Sequence, residues 1–231
     1  EKHHATTAQF DGPFVAMRDQ AVDAIVTMPT AAAPRLDYAQ LLIARMMLPE
    51  ARGVVKTVLA RPEGLDAASR DRAEGYAAII DRIAGGATGD LPAAWSDDPL
   101  WPAIVTNRPL DASRLGAAVA SLSEQSRAVA TAVLPMLFDR ALDAGDTTIA
   151  AELLSSAPAG TDLEGTALLD LMRGRLALAQ GGEDLAFDTF ARVAEGQDRA
   201  AAEARIALAD MALSRNDPAH WPQVSRLLQD G

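Results

Sequence analysis

From Pro34 onward apolar side chains recur at steps of three and four. Leu36, Ala39, Leu42, Ile43 and Met46 form one such face before Pro49 interrupts it, the spacing of an amphipathic helix rather than a strand. A second helix is expected from Pro49 to about Ala60, burying Val54, Val55 and Val58 and ending at Pro62 and Gly64. A third runs from Asp66 to Ile83 and stops at Gly85 and Gly86, the glycines that commonly close a helix. Asp111 caps the next, through Leu115, Val119 and Leu122, and another follows from Glu124 to Asp143. Pro135 lies inside that helix and is expected to kink or divide it, because proline removes an i→i−4 hydrogen bond. Further helices are expected near Thr147–Ser156, Thr166–Gln180, Glu183–Glu195, Arg199–Arg215 and Pro218–Gln229.

The remaining stretches are less regular. Glu1 to Pro13 is polar and without a period, and reads as a solvated arm. In Phe14 to Met28, Val22, Ile25 and Val26 suit a helix face, while Ala24 to Met28 also reads as a short strand; we assign helix. Ala87 to Pro109 holds Pro92, Pro99, Pro102 and Pro109 together with Trp95 and Trp101. It reads as a connector whose indoles pack over a joint between two helical parts, with Asp98 and Pro99 opening a short helix. The expected organisation is an arm over 1–33, a helical subdomain over 34–86, a connector over 87–110 and helical repeats over 111–231.

An internal repeat organises the last of these. Ala141-Leu142-Asp143-Ala144-Gly145 lies on Ala177-Leu178-Ala179-Gln180-Gly181, 36 residues further on, which carries Ala150 onto Ala186 and Leu154 onto Phe190. A further step of 35 residues lays Ala177-Leu178 on Ala212-Leu213. In the clearest copy, Thr166 to Gly196, Gly174 falls in the first helix, Gly181 at the turn, Ala186 early in the second helix and Phe190 one turn later. These residues resemble the tetratricopeptide family, whose repeat is about 34 residues long. Phe138 in the preceding copy, Asp170 in this one, and Trp221 and Ser225 in the last depart from the family pattern. Leu36 to Val58 hints at one more pair, with Ala51 and Val55 in the small and large roles. The resemblance implies an all-α fold, a right-handed solenoid of antiparallel helix pairs, with Gly174 and Ala186 where helices cross. It also implies a concave surface lined by exposed first-helix positions, here Asp139, Asp143, Arg175 and Asp210.

Composition narrows the partners. The 231 residues are 49% hydrophobic but only 4% aromatic, with no cysteine, so the core is aliphatic and disulfides and thiolate metal ligands are excluded. With 32 acidic against 21 basic residues the net charge is −11, which disfavours binding to nucleic acid or to anionic membranes. Arginine supplies nearly all the positive charge and alanine is abundant, a composition of bacterial character. No apolar run approaches the roughly 20 residues that cross a bilayer, so no membrane insertion is expected. The compartment is left open between cytoplasm and periplasm. The chain begins at Glu1 without a leader pattern, which fits a segment cut from a longer protein.

No phosphate-binding loop, zinc-protease helix, serine elbow or calcium loop is present, so neither a cofactor nor a metal is expected. The histidines are His3, His4 and His220. The first two read as part of the arm, and His220, beside Trp221, as a capping or packing residue. The expected function is a non-catalytic scaffold or adaptor holding a protein or peptide segment, of basic character where it meets the acidic groove positions. The alternative is the helical arm of a larger bacterial enzyme of the cell-wall lytic type, or of a regulator, with the active module elsewhere.

Overall fold

The computed structural model describes residues 5–61, 65–215 and 225–226. Among these the fold is all-α, with eleven α-helices, short 3₁₀ turns and no strand. His3, His4, Pro62, Gly64, His220, Trp221 and most of the expected helix Pro218–Gln229 lie outside the described residues. The chain divides into two compact units, Glu1–Arg140 with Gly160–Asp162, and Ala141–Ala159 with Leu163–Gly231. The stretch 87–110 therefore falls inside the first unit.

In the first unit α1 (Phe14–Thr27) is a helix along the whole ambiguous stretch. α2 (Ala33–Ala44) packs against α1, α3 (Leu48–Leu59) and α4 (Ala67–Ile83). It is central because it is apolar on nearly every side: Leu36, Ala39, Leu41, Leu42, Ile43 and Ala44 are all buried, as a helix surrounded by others requires. Each of its large aliphatic side chains contributes about 1.5–3 kcal/mol by leaving water. Pro34 and Pro49 lie in the first turns of α2 and α3, where a missing N–H has no intrahelical partner to lose. Asp66 caps α4 by accepting from Ser69 N–H at 2.6 Å.

Trp95 and Trp101, expected to pack over a joint between two helical parts, fall within the first unit. Both belong to the core of the first unit, each 1% exposed. Trp95 lies against Gly75 of α4, donates from Nε1 to Asp71 O at 2.9 Å, and meets Tyr76 edge-on with centroids 5.9 Å apart. Asp98 Oδ1 accepts from the N–H groups of Leu100 and Trp101, both at 2.9 Å, and starts α5 (Trp101–Val105).

The arm also differs from its expectation over its described part. Ala5 and Thr7 are buried, although the stretch lacks a period, because its polar groups are matched one by one. The Thr7 hydroxyl donates to Gln125 Oε1 and accepts from Ser126 N–H, both at 2.8 Å. Thr6 O accepts from Gln40 Nε2 at 2.7 Å, and the Arg45 guanidinium donates to Gly12 O. Buried polar groups satisfied in this way cost little.

α6 (Ala112–Ala120), capped by Asp111, is followed by a 3₁₀ turn at Ser121–Glu124, and α7 (Arg127–Asp143) starts after it rather than at Glu124. Pro135 does not divide α7. Val133, Leu134, Leu137 and Phe138, on either side of it, are all buried, and that packing keeps the chain helical across the lost hydrogen bond.

The second unit contains α8 (Thr147–Gly160) apart from its last residue, with α9 (Ala167–Ala179), α10 (Glu183–Ala194) and α11 (Arg199–Arg215). α9, α10 and α11 each pack against the other two. Their core combines Leu171, Ala186, Phe187, Phe190, Ala204 and Leu208. A Cβ on Gly174 would lie 2.6 Å from Phe190 Cε1, so glycine is what lets α10 approach α9. Ala186 is fully buried.

The turns repeat in detail. Gly145 and Gly181 have φ of +73° and +81°, the left-handed conformation that ends a helix. Asp146 N–H donates to Ala141 O, and Gly182 N–H to Ala177 O, both at 2.8 Å. Between α2 and α3 the same bonding recurs around Met46, at φ +56°, with Met47 N–H donating to Leu42 O at 2.9 Å. Counting from these three turn residues, the fifth residue is Ala51, Ala150 or Ala186 and the ninth Val55, Leu154 or Phe190, and all six are buried.

Candidate functional site: a groove between α9 and α11

α9 presents Leu171, Arg175 and Leu178 at steps of four and three, so they share one stripe along the helix. α11 presents Glu203, Ile206 or Ala207, Asp210 and Ser214 at the same kind of step. The two stripes border a groove of about 520 Å³, whose walls also include Leu142, Phe190 and Met211. That volume falls within the roughly 300–1,000 Å³ of ligand-sized clefts.

Its apolar wall is open to water. Ile206 is 61% exposed and Leu178 38%, although both are large aliphatics on helices whose other faces make the core. Exposed apolar area beside a groove gives about 25 cal/mol per Å² when a partner covers it. The rim is mainly acidic: Glu183, Glu203 and Asp210 against Arg175. Glu203 pairs with Arg199 at 2.8 Å, but the Arg199 side chain is 93% exposed, so the pair is weak in water. Asp170 of α9, about a quarter turn from the groove stripe, is a carboxylate of another kind. Burial raises its pKa, but hydrogen bonds from Arg192 at 2.6 Å and Arg173 at 3.0 Å outweigh that and hold it below the ordinary carboxylate range. It clamps α10 to α9 and does not line the groove.

Of the four residues expected to line a concave surface, the structure brings Arg175 and Asp210 together in this groove. Asp143 is exposed near the end of α7 and Asp139 is half-buried in the first unit, and neither lines it. Leu178, Ile206, Met211, Glu183 and Glu203 also line the groove and are not among the four positions that the resemblance implies. α11 carries apolar residues, mostly alanine, on all its faces, so its periodicity does not say which of them face water.

Among the described residues no three or more histidines or carboxylates converge as a metal site, and no helix is long and apolar enough to cross a membrane. No family model matches the chain, and no curated protein or solved structure matches it either.

Proposed function

We propose that the chain is a non-catalytic protein-interaction module, a scaffold or adaptor built from tetratricopeptide-like helix pairs, and that the α9–α11 groove receives a segment of another protein. The observation that carries this reading is the juxtaposition of Leu178 and Ile206, both exposed, with Glu183, Glu203 and Asp210 on one groove. An aliphatic wall rimmed by carboxylates favours a segment with an apolar anchor and flanking basic residues, in which burial supplies affinity and charge supplies orientation and a faster encounter. The repeated turn geometry around Met46, Gly145 and Gly181 supports the helix-pair plan, and stacking such pairs into a solenoid would give the groove a concave setting.

The test uses synthetic peptides in fluorescence anisotropy: one with a leucine anchor between arginines, one with that leucine replaced by serine, and one with the arginines replaced by glutamine. Binding of the first is expected to exceed both others and to weaken as salt rises. Ile206→Asp should lower its affinity about tenfold or more, the loss of an apolar contact together with a buried-charge penalty. Equal binding of the three peptides, or an Ile206→Asp variant that binds as the parent does, would remove the basis for this function.

A further inference from the structure

A second cavity, of about 360 Å³, lies wholly in the first unit, between the start of α2 and the end of α3. Its walls carry Arg35 and Arg61 and, among the described lining residues, no carboxylate. In a chain with 32 acidic and 21 basic residues, two guanidinium groups on one small cavity whose described lining residues include no acid is the reverse of the average surface. Arg35 is half-buried, and its two terminal amino groups donate to Ala31 O at 2.8 Å and Pro29 O at 2.7 Å. Those bonds fix the guanidinium without neutralising its charge, since both acceptors are neutral carbonyls and each terminal nitrogen keeps a second N–H. Arg61 is exposed, and no ion pair holds it among the described residues. The rest of the described wall is made of short side chains, the apolar Val58, Ala60 and Leu65 together with the hydroxyl-bearing Thr30 and Thr57.

We propose that this cavity binds a small organic anion, its carboxylate or phosphate end held by Arg35 and Arg61 and its short apolar body set against Val58 and Leu65. A planar guanidinium matches either anion by paired N–H donors, and charge-assisted bonds of this kind are about twice as strong as neutral ones. The cavity is at the small end of ligand sites, which suits a body of a few carbons rather than a nucleotide. The site belongs to the other unit from the α9–α11 groove and is independent of the function proposed there.

Isothermal titration of the whole chain with butyrate, with butyl phosphate and with butyramide tests it. Saturable binding is expected for at least one of the two anions and not for the neutral amide, and the anion that binds identifies the headgroup. Arg61→Gln should weaken that binding by about tenfold, the worth of one charge-assisted contact, while Arg61→Lys keeps part of it and neither variant alters the melting curve. Failure of both anions to saturate, equal binding of the amide, or unchanged binding in Arg61→Gln would each overturn the proposal.

Discussion

At the scale of single residues, small side chains decide how closely helices approach. A Cβ on Gly75 would run into the Trp95 indole, and one on Gly174 into the Phe190 ring, whereas a Cβ on Gly53 meets nothing within 4 Å. Alanine is favoured over glycine in a helix by up to about 1 kcal/mol, but forcing bulk into a packed contact costs about 1–3 kcal/mol. Gly53→Ala should therefore raise the denaturation midpoint, while Gly75→Ala and Gly174→Ala lower it; a shift of one sign for all three would contradict these contacts. Gly174 was legible as a crossing residue because the repeat placed it there. Gly75 was not, because the indole it accommodates comes from a stretch without a period. The same core holds Tyr76, whose phenol burial pushes up to about 12, outweighing the opposite pull of the Arg72 guanidinium that donates to its oxygen at 2.9 Å. Since the folded value lies above the ordinary 10.0, its contribution to stability is complete below that pH and is lost as pH rises toward 12. Ultraviolet titration should show this phenol ionising only well above pH 10.0, together with alkaline unfolding. Its ionisation near the ordinary value in the folded protein would refute the burial.

At the scale of elements, helices were legible where an apolar period and a cap agree. α9 begins beside Thr166, whose hydroxyl accepts from Leu169 N–H at 3.3 Å, and α11 has the expected bounds. Turns were legible when they used glycine, as at Gly145 and Gly181, and hidden when they did not. Met46 has the same left-handed backbone, but methionine reads as one more apolar helix position. A residue with a Cβ in that conformation carries a strain of about 1–2 kcal/mol, partly offset by the chain entropy that glycine would lose on folding. Met46→Gly is thus expected to stabilise the first unit by about 0.5–1 kcal/mol, measured by urea unfolding. A loss of stability would mean that the methionine side chain contributes more by packing than the backbone loses. The docked arm was illegible for a different reason. Thr7, Gln125 and Ser126 are joined across more than a hundred residues by hydrogen bonds, and such pairings leave no local pattern.

At the scale of the whole molecule, the proposed groove function draws on the acidic excess and on the exposed aliphatics of the second unit. A net charge of −11 gives the chain a general attraction for cations, so salt-dependent binding of a basic peptide is not by itself evidence for a groove. What separates a site from a general field is position. Glu203→Lys with Asp210→Lys alters two carboxylates on the α9–α11 groove, and Asp139→Lys with Asp143→Lys changes the net charge by the same amount at positions that do not line it. The measurement is the affinity of the leucine-anchored basic peptide for these two double variants at equal ionic strength, alongside their melting curves. The groove pair is expected to lose about tenfold or more in affinity, with a melting curve close to that of the parent, and the other pair to change far less. Equal losses in both, or none in the groove pair, would contradict the account.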